Sequence, residues 1–144
     1  EEDIVEAIPK TLQDNIFDLT QLILGKKIDQ ARDLVKDLTL QGEDEIKLIA
    51  IMLGQFRLYT QVKILQESGQ TESQMVSSLG HYLGRNPNPY QIKFALRDTR
   101  ALSLNFLQDS IRYLIQADYQ IKTGVYEKGY LFEKALLQIA SQSN

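Results

Sequence analysis

The chain has 144 residues, 43% of them hydrophobic, a net charge of −3, no cysteine and a single histidine, His81. That is about one domain, or one plus a fragment, with enough apolar material for a core. It excludes disulfides and thiolate chemistry, fits a reducing compartment, and leaves too few ligands for a dedicated zinc site. The charge is uneven: residues 1–46 carry twelve acids against five bases, a net −7, and residues 47–144 seven acids against eleven bases, a net +4. An acidic first third argues against the whole surface being a nucleic-acid footprint and leaves room for a basic face later in the chain.

The chain opens on Glu1, Glu2 and Asp3, without Met and with the opposite charge from a signal peptide, and reads as a piece of a longer protein. No uninterrupted apolar run of about eighteen residues occurs, so the expectation is that no segment spans a membrane. Residues 2–8 form a helical stub that Pro9 ends, because a residue before proline avoids helical dihedrals. A boundary is placed at 9–11.

From there the apolar periodicity is helical throughout, and strand-like alternation is missing. A first helix starts at Thr11, with Asp14 as the partner of a capping box, and carries Leu12, Ile16, Leu19, Leu22 and Ile23 in one stripe. Gly25 is its expected left-handed terminator. A second helix, 28–40, faces Ala31, Leu34, Val35 and Leu38 inward and stops at Gly42; the short link makes the two an antiparallel pair. A third, 43–67, opens on Glu43, Asp44 and Glu45 at the positive end of its dipole and is apolar on nearly every face, so it is taken as the central element, closed by Ser68-Gly69. A fourth begins with the capping box Thr71-Glu-Ser-Gln74, carries Met75, Val76 and Leu79 and breaks near Gly80. The segment 80–89, with two Gly, two Pro and two Asn, is expected to be the most irregular loop. Asn88-Pro89 starts a fifth helix, running to about Ala101 through Ile92, Phe94, Ala95, Leu96 and Thr99. Ser103 caps a sixth, to Lys122, with Leu104, Leu107, Ile111, Leu114, Ile115, Ala117 and Ile121, ended by Gly124. A seventh covers 128–140 through Leu131, Phe132, Ala135, Leu136 and Ile139. The fold class is therefore all-α, a single bundle of about seven helices.

Chemistry is sparse. No Gly-rich phosphate loop and no GxSxG segment occurs, and His81 is an exposed loop histidine on this reading. The acids Asp14/Asp18 and Asp29/Asp33/Asp37 have helical spacing on polar faces and read as solvated surface. No catalytic, cofactor or metal residue is assigned. Three features stand out. The polar residues Gln55, Arg57, Tyr59, Gln61 and Lys63 lie on the otherwise apolar third helix; they either snorkel to water or form an edge that meets another protein chain, with Arg57 and Tyr59 as anchors. Asp118 and Lys122 form an i, i+4 pair, either an ordinary surface pair or part of a network with Arg57. Arg85, Lys93, Arg97 and Arg100 make residues 79–100 basic, with four bases and one acid. Two short helices with a basic second one suggest a helix-turn-helix that contacts DNA, set against a basic patch that meets an acidic neighbour.

Four segments carry a family resemblance: Ile8-Pro-Lys-Thr-Leu-Gln-Asp-Asn-Ile-Phe-Asp-Leu-Thr20, Leu38-Thr-Leu-Gln-Gly-Glu-Asp-Glu-Ile-Lys47, Gln55-Phe-Arg-Leu-Tyr-Thr-Gln-Val-Lys63 and Ala117-Asp-Tyr-Gln-Ile-Lys-Thr-Gly124. In this order and spacing the chain resembles the C-terminal domain of the bacterial DNA polymerase III delta subunit, from about residue 4 to 140. The stretch His81–Pro89 departs from the compact turn usual there. The resemblance implies a collar domain of the clamp loader, the pentamer that places the sliding clamp on primed DNA, in a cytoplasmic, nucleoid-associated replisome. It implies partners in the gamma/tau and delta-prime subunits, clamp contact only through segments N-terminal to this one, and DNA contact only indirectly. It also implies no active site within this domain of the polymerase holoenzyme. Residues 1–9 would end a preceding lid domain and 10–144 would form the collar.

Overall fold

The computed structural model describes residues 9–83 and 89–143. Among them are seven α-helices and no strand: α1 Lys10–Leu24, α2 Ile28–Leu40, α3 Glu45–Glu67, α4 Glu72–Leu83, α5 Pro89–Thr99, α6 Leu104–Lys122 and α7 Lys128–Ala140. The all-α expectation holds; the stub at 2–8, Asn88 and Arg85 lie outside the described residues. The backbone groups into two compact units: described residues up to Gln55 with Asp109–Ser143, and Phe56–Gln108.

In the first unit α1 packs on α2, and both pack on α7. Leu12, Ile16, Leu19 and Ile23 of α1, Ala31 and Leu38 of α2, and Leu131, Phe132, Ala135, Leu136 and Ile139 of α7 are buried. These are stripes at helical spacing, as the sequence requires. The start of α3 adds Leu48, Ile49 and Met52, and α6 adds Leu114, Ala117 and Ile121. Thr20 of α1 is buried, and its hydroxyl satisfies itself on the Ile16 carbonyl at 3.0 Å and the Gln55 side-chain oxygen at 2.7 Å.

In the second unit α4 packs on α5. Phe56, Tyr59 and Val62 of α3, Met75 and Leu79 of α4, Ile92 and Ala95 of α5, and Leu102, Phe106 and Leu107 are buried. Among the described residues of both units, no buried side-chain polar atom lacks a hydrogen-bond partner.

Several helix ends depart from the sequence expectation. Helix α1 starts one residue early, at Lys10, with no side-chain cap, so the Thr11–Asp14 box does not form. Its terminator is Lys26, at φ 61°, and not Gly25, which stays at φ −84°. Helix α4 runs through Gly80 to Leu83, and His81 is an exposed residue of its last turn, not of a loop. An interior glycine weakens a helix without stopping it, and here α4 keeps its packing on α5. Helix α5 ends at Thr99. Two side chains placed in core stripes are exposed: Phe94 and Ile115.

By length and composition α3 is the one described helix apolar enough to cross a membrane, with a mean hydropathy of 1.2 over its most apolar 18 residues. The uninterrupted-run criterion misses this. Leu48, Ile49, Met52, Phe56 and Val62 are nonetheless wholly buried in protein, and Gln55, Arg57, Gln61 and Lys63 interrupt the helix. Both features belong to the core helix of a helical protein.

Candidate functional site

The polar residues of α3 do different jobs. Tyr59 is buried, and its ring meets Phe56 edge-on at 6.0 Å. Its hydroxyl donates to Asp98 Oδ2 of α5 at 3.0 Å. One turn on, Lys63 Nζ donates to the carbonyl of Thr99, the last residue of α5, at 3.1 Å. That carbonyl also accepts the Leu102 backbone N–H at 3.1 Å, and a cation there meets the negative end of the helix dipole. Asp98 is 5% exposed, and its other oxygen accepts from Arg97 at 2.9 Å. Residues i and i+4 of α3 thus hold the C-terminal end of α5 through one carboxylate and one carbonyl. Tyr59 is therefore an internal packing residue and not an exposed anchor. Gln55 is half-buried on Thr20. Gln61 is half-buried, and Arg57 is exposed with no ion pair among the described residues.

Lys122 Nζ donates to Asp118 Oδ2 at 2.9 Å across one turn of α6, with the lysine side chain largely in solvent. Such a pair contributes a few tenths of a kcal/mol.

The basic set lies on α5. Ile92, Ala95 and Thr99 are buried at i, i+3 and i+7, so Lys93, Phe94 and Arg97 turn outward, with Arg100 exposed in the turn beyond. The guanidinium of Arg97 lies over the Phe94 ring, 4.9 Å from its centroid. Lys93, Phe94, Leu96, Arg97 and Arg100 line an open cleft of about 400 Å3 with Glu72 of α4. The expected stripe has Phe94 inward; the signal against that is its offset of two residues from Ile92, which a helix places on another face.

The first unit carries most of the remaining exposed large apolar side chains. Ile115, Tyr119, Val125, Tyr126 and Tyr130 are all at least 46% exposed, and the rings of Tyr126 and Tyr130 meet edge-on at 5.6 Å. These residues span the end of α6, the connecting turn and the start of α7. No single helix stripe contains them, so helical periodicity does not reveal the set.

A second charged pair ties helix ends in this unit. Asp44 caps α3, its Oδ1 accepting from the Ile46 backbone N–H at 2.8 Å, while Oδ2 accepts from Lys128 at the start of α7 at 2.7 Å. The Lys128 hydrogen bond, then the backbone one, hold the Asp44 carboxyl below its usual pKa, and Asp44 in turn raises that of Lys128. Among the described residues no group of three His, Cys, Asp or Glu side chains gathers to hold a metal.

Residues 13–139 match the family described as DNA polymerase III delta subunit, C-terminal domain. The chain is 32% identical over 142 residues to the DNA polymerase III subunit delta of Bacillus subtilis (strain 168), covering 99% of this chain and 39% of that protein. The solved Bacillus subtilis DNA clamp loader delta protein matches with a TM-score of 0.80 at 31% identity, over 98% of this chain and 40% of that one. The chain thus spans well under half the length of the relatives it matches. With the family profile covering nearly all of the described helices, the chain belongs to the family of C-terminal domains of the DNA polymerase III delta subunit.

Proposed function

We propose that this chain is the collar domain of a clamp-loader delta subunit, an assembly element that holds the loader's subunits together and performs no chemical step itself. On this reading residues 10–144 are the collar and the preceding residues belong to a lid domain. Its partners are the gamma/tau and delta-prime subunits, and it acts in the cytoplasmic replisome during sliding-clamp loading. DNA is engaged by the assembled loader.

The observation that carries the reading is the exposed apolar row Ile115, Tyr119, Val125, Tyr126 and Tyr130 in a chain of this family. Exposed large apolar side chains are what a partner chain covers, and tyrosines are enriched among the residues that dominate binding energy. Arg57, exposed and without an ion pair among the described residues, is the one member of the polar α3 set positioned as a second contact. Burying such faces yields about 25 cal/mol per Å2 of apolar area, less the cost of association. This suits a collar that must persist while neighbouring domains change shape.

The test is co-purification of the full delta subunit with its loader partners. Tyr126→Ala with Tyr130→Ala should weaken retention, as should Arg57→Ala to a smaller degree, with the helical circular dichroism unchanged. Full retention by the triple variant would remove these residues from the interface.

A further inference from the structure

We infer that the groove between α6 and α7 receives an acidic amphipathic helix of a neighbouring loader subunit, with a carboxylate of that helix set against Lys134. The inference rests on the assembly reading and deepens it, because Tyr130 belongs both to the exposed row and to the groove.

The groove is open, holds about 450 Å3, and is lined by Tyr113 of α6 and by Tyr130, Lys134 and Leu137 of α7. On α7 these fall at i, i+4 and i+7, one face of the helix, and Ser141, just past its end, continues that face. From Tyr130 to Ser141 the run is about 16 Å, the length of three turns of a second helix. The far end is preformed. The Gln142 amide donates to the buried Ser110 hydroxyl at 2.9 Å, Ser141 donates to the Leu137 carbonyl at 2.7 Å, and Lys26 donates to the Gln142 carbonyl at 3.2 Å. These polar groups are engaged inside the chain and offer a partner little directional hydrogen bonding. Rings, one aliphatic side chain and a cation remain. A helix with an apolar stripe fits such a groove better than an extended strand, whose free N–H and C=O groups need partners along the wall.

The charge of the partner follows from what the groove's own acids already hold. Glu133 accepts from Arg32 of α2 at 2.7 Å, and Asp109 accepts from Arg112 at 3.0 Å. Arg112 also lies over the Tyr113 ring, 5.0 Å from its centroid. Lys134 is exposed, and neither it nor Lys26 makes an ion pair among the described residues. Around the groove the cations Lys26, Arg32, Arg112 and Lys134 thus meet two carboxylates. The compact unit they belong to is acidic, its described residues carrying twelve acids and ten bases. A locally positive field in an acidic unit selects an acidic partner, and a carboxylate on Lys134 fixes the register of the docked helix. A second copy of the chain would bring the exposed Asp29, Asp33 and Asp37 of α2, so the chain alone is part of the test.

The experiment is surface plasmon resonance of the full delta subunit on its immobilised loader partners, at low and high salt, with helical circular dichroism as the check on folding. Lys134→Gln should weaken binding about twofold to fivefold, the loss expected for one exposed ion pair, and should remove part of the salt dependence. Lys134→Glu sets like charges together and should weaken binding by about tenfold or more. Tyr113→Ala should weaken it about fivefold. If Tyr126→Ala with Tyr130→Ala weakens binding while Lys134→Glu and Tyr113→Ala keep native affinity, the groove inference is overturned and the assembly reading stands. Native affinity in all of these variants would overturn both. Tighter binding by Lys134→Glu would mean a basic partner and overturn the inference. So would self-association of the 144-residue chain that Lys134→Glu abolishes, which would assign the groove to a second copy.

Discussion

The ammonium of Lys26 donates to the main-chain carbonyl of Ala140 at 2.6 Å, joining the α1–α2 turn to the last residue of α7 across 114 positions of sequence. A second bond runs from the same nitrogen to the Gln142 carbonyl at 3.2 Å. Lys26 is also the one described non-glycine residue at positive φ. The backbone N–H groups of Lys26 and Lys27 close the turn onto Ile23 and Leu22 at 3.0 and 2.8 Å. A left-handed lysine costs about 1 kcal/mol relative to glycine, and the cation it aims at a helix C-terminus offsets that cost. Lys26→Met keeps the strain and removes the cation, and should destabilise the first unit by about 1–2 kcal/mol. Lys26→Gly removes both and should be the milder change. Urea unfolding compares them directly, and Lys26→Gly less stable than Lys26→Met would contradict the account.

Asp44 and Lys128 give the stability a pH dependence of known sign. The Asp44 carboxyl titrates below its ordinary 3.8 because of the Lys128 hydrogen bond and the Ile46 N–H. A group depressed on folding stabilises the native state above its unfolded pKa, and the contribution disappears as pH falls through the folded value. Native protein should therefore exceed Asp44→Asn in urea midpoint at neutral pH, and the gap should narrow from about pH 4 downward. The pair lies at the surface, so the difference is small and should shrink in high salt. A gap that widens on acidification would contradict this sign.

Tyr59 and Lys63 are predicted to act on α5. Tyr59→Phe removes the donor that Asp98 accepts from in a nearly closed site, which should destabilise the chain by about 1–3 kcal/mol. Lys63→Met leaves the last carbonyl of α5 with the Leu102 N–H alone and should cost about 0.5–1 kcal/mol. Hydrogen exchange should locate both losses first in the amides of α5. Uniform loss across the chain would contradict a local clamp.

Gly54, in the interior of α3, is exposed, and a Cβ built on it meets nothing within 4 Å. Gly54→Ala should thus raise the stability of the chain by about 0.5–1 kcal/mol. The thermal midpoint is the readout, and a lower one would show that the position is not open.

Much of the helical punctuation was legible because it is local. Thr71 and Gln74 form the reciprocal capping box their spacing predicts, at 2.8 and 3.2 Å. Gly42 and Gly124 take φ of 95° and 71° and close α2 and α6 with main-chain bonds back into the last turn. Ser103 caps α6 through the Phe106 N–H at 3.0 Å. What could not be read depends on partners far along the chain. Lys26 displaces Gly25 as the left-handed residue because its side chain finds Ala140. Tyr59 leaves the surface because Asp98, 39 residues on, accepts its hydroxyl hydrogen. The exposed row from Ile115 to Tyr130 straddles two helices and a turn, beyond the reach of any one helix's pattern.

The most direct test of the central claim is sedimentation velocity of this chain alone and mixed with the corresponding domains of the gamma/tau and delta-prime subunits. A domain that exists to meet unlike chains should sediment as a monomer alone and shift to a larger species only in the mixture. A tight homopentamer of this chain, or no shift with either partner, would contradict it.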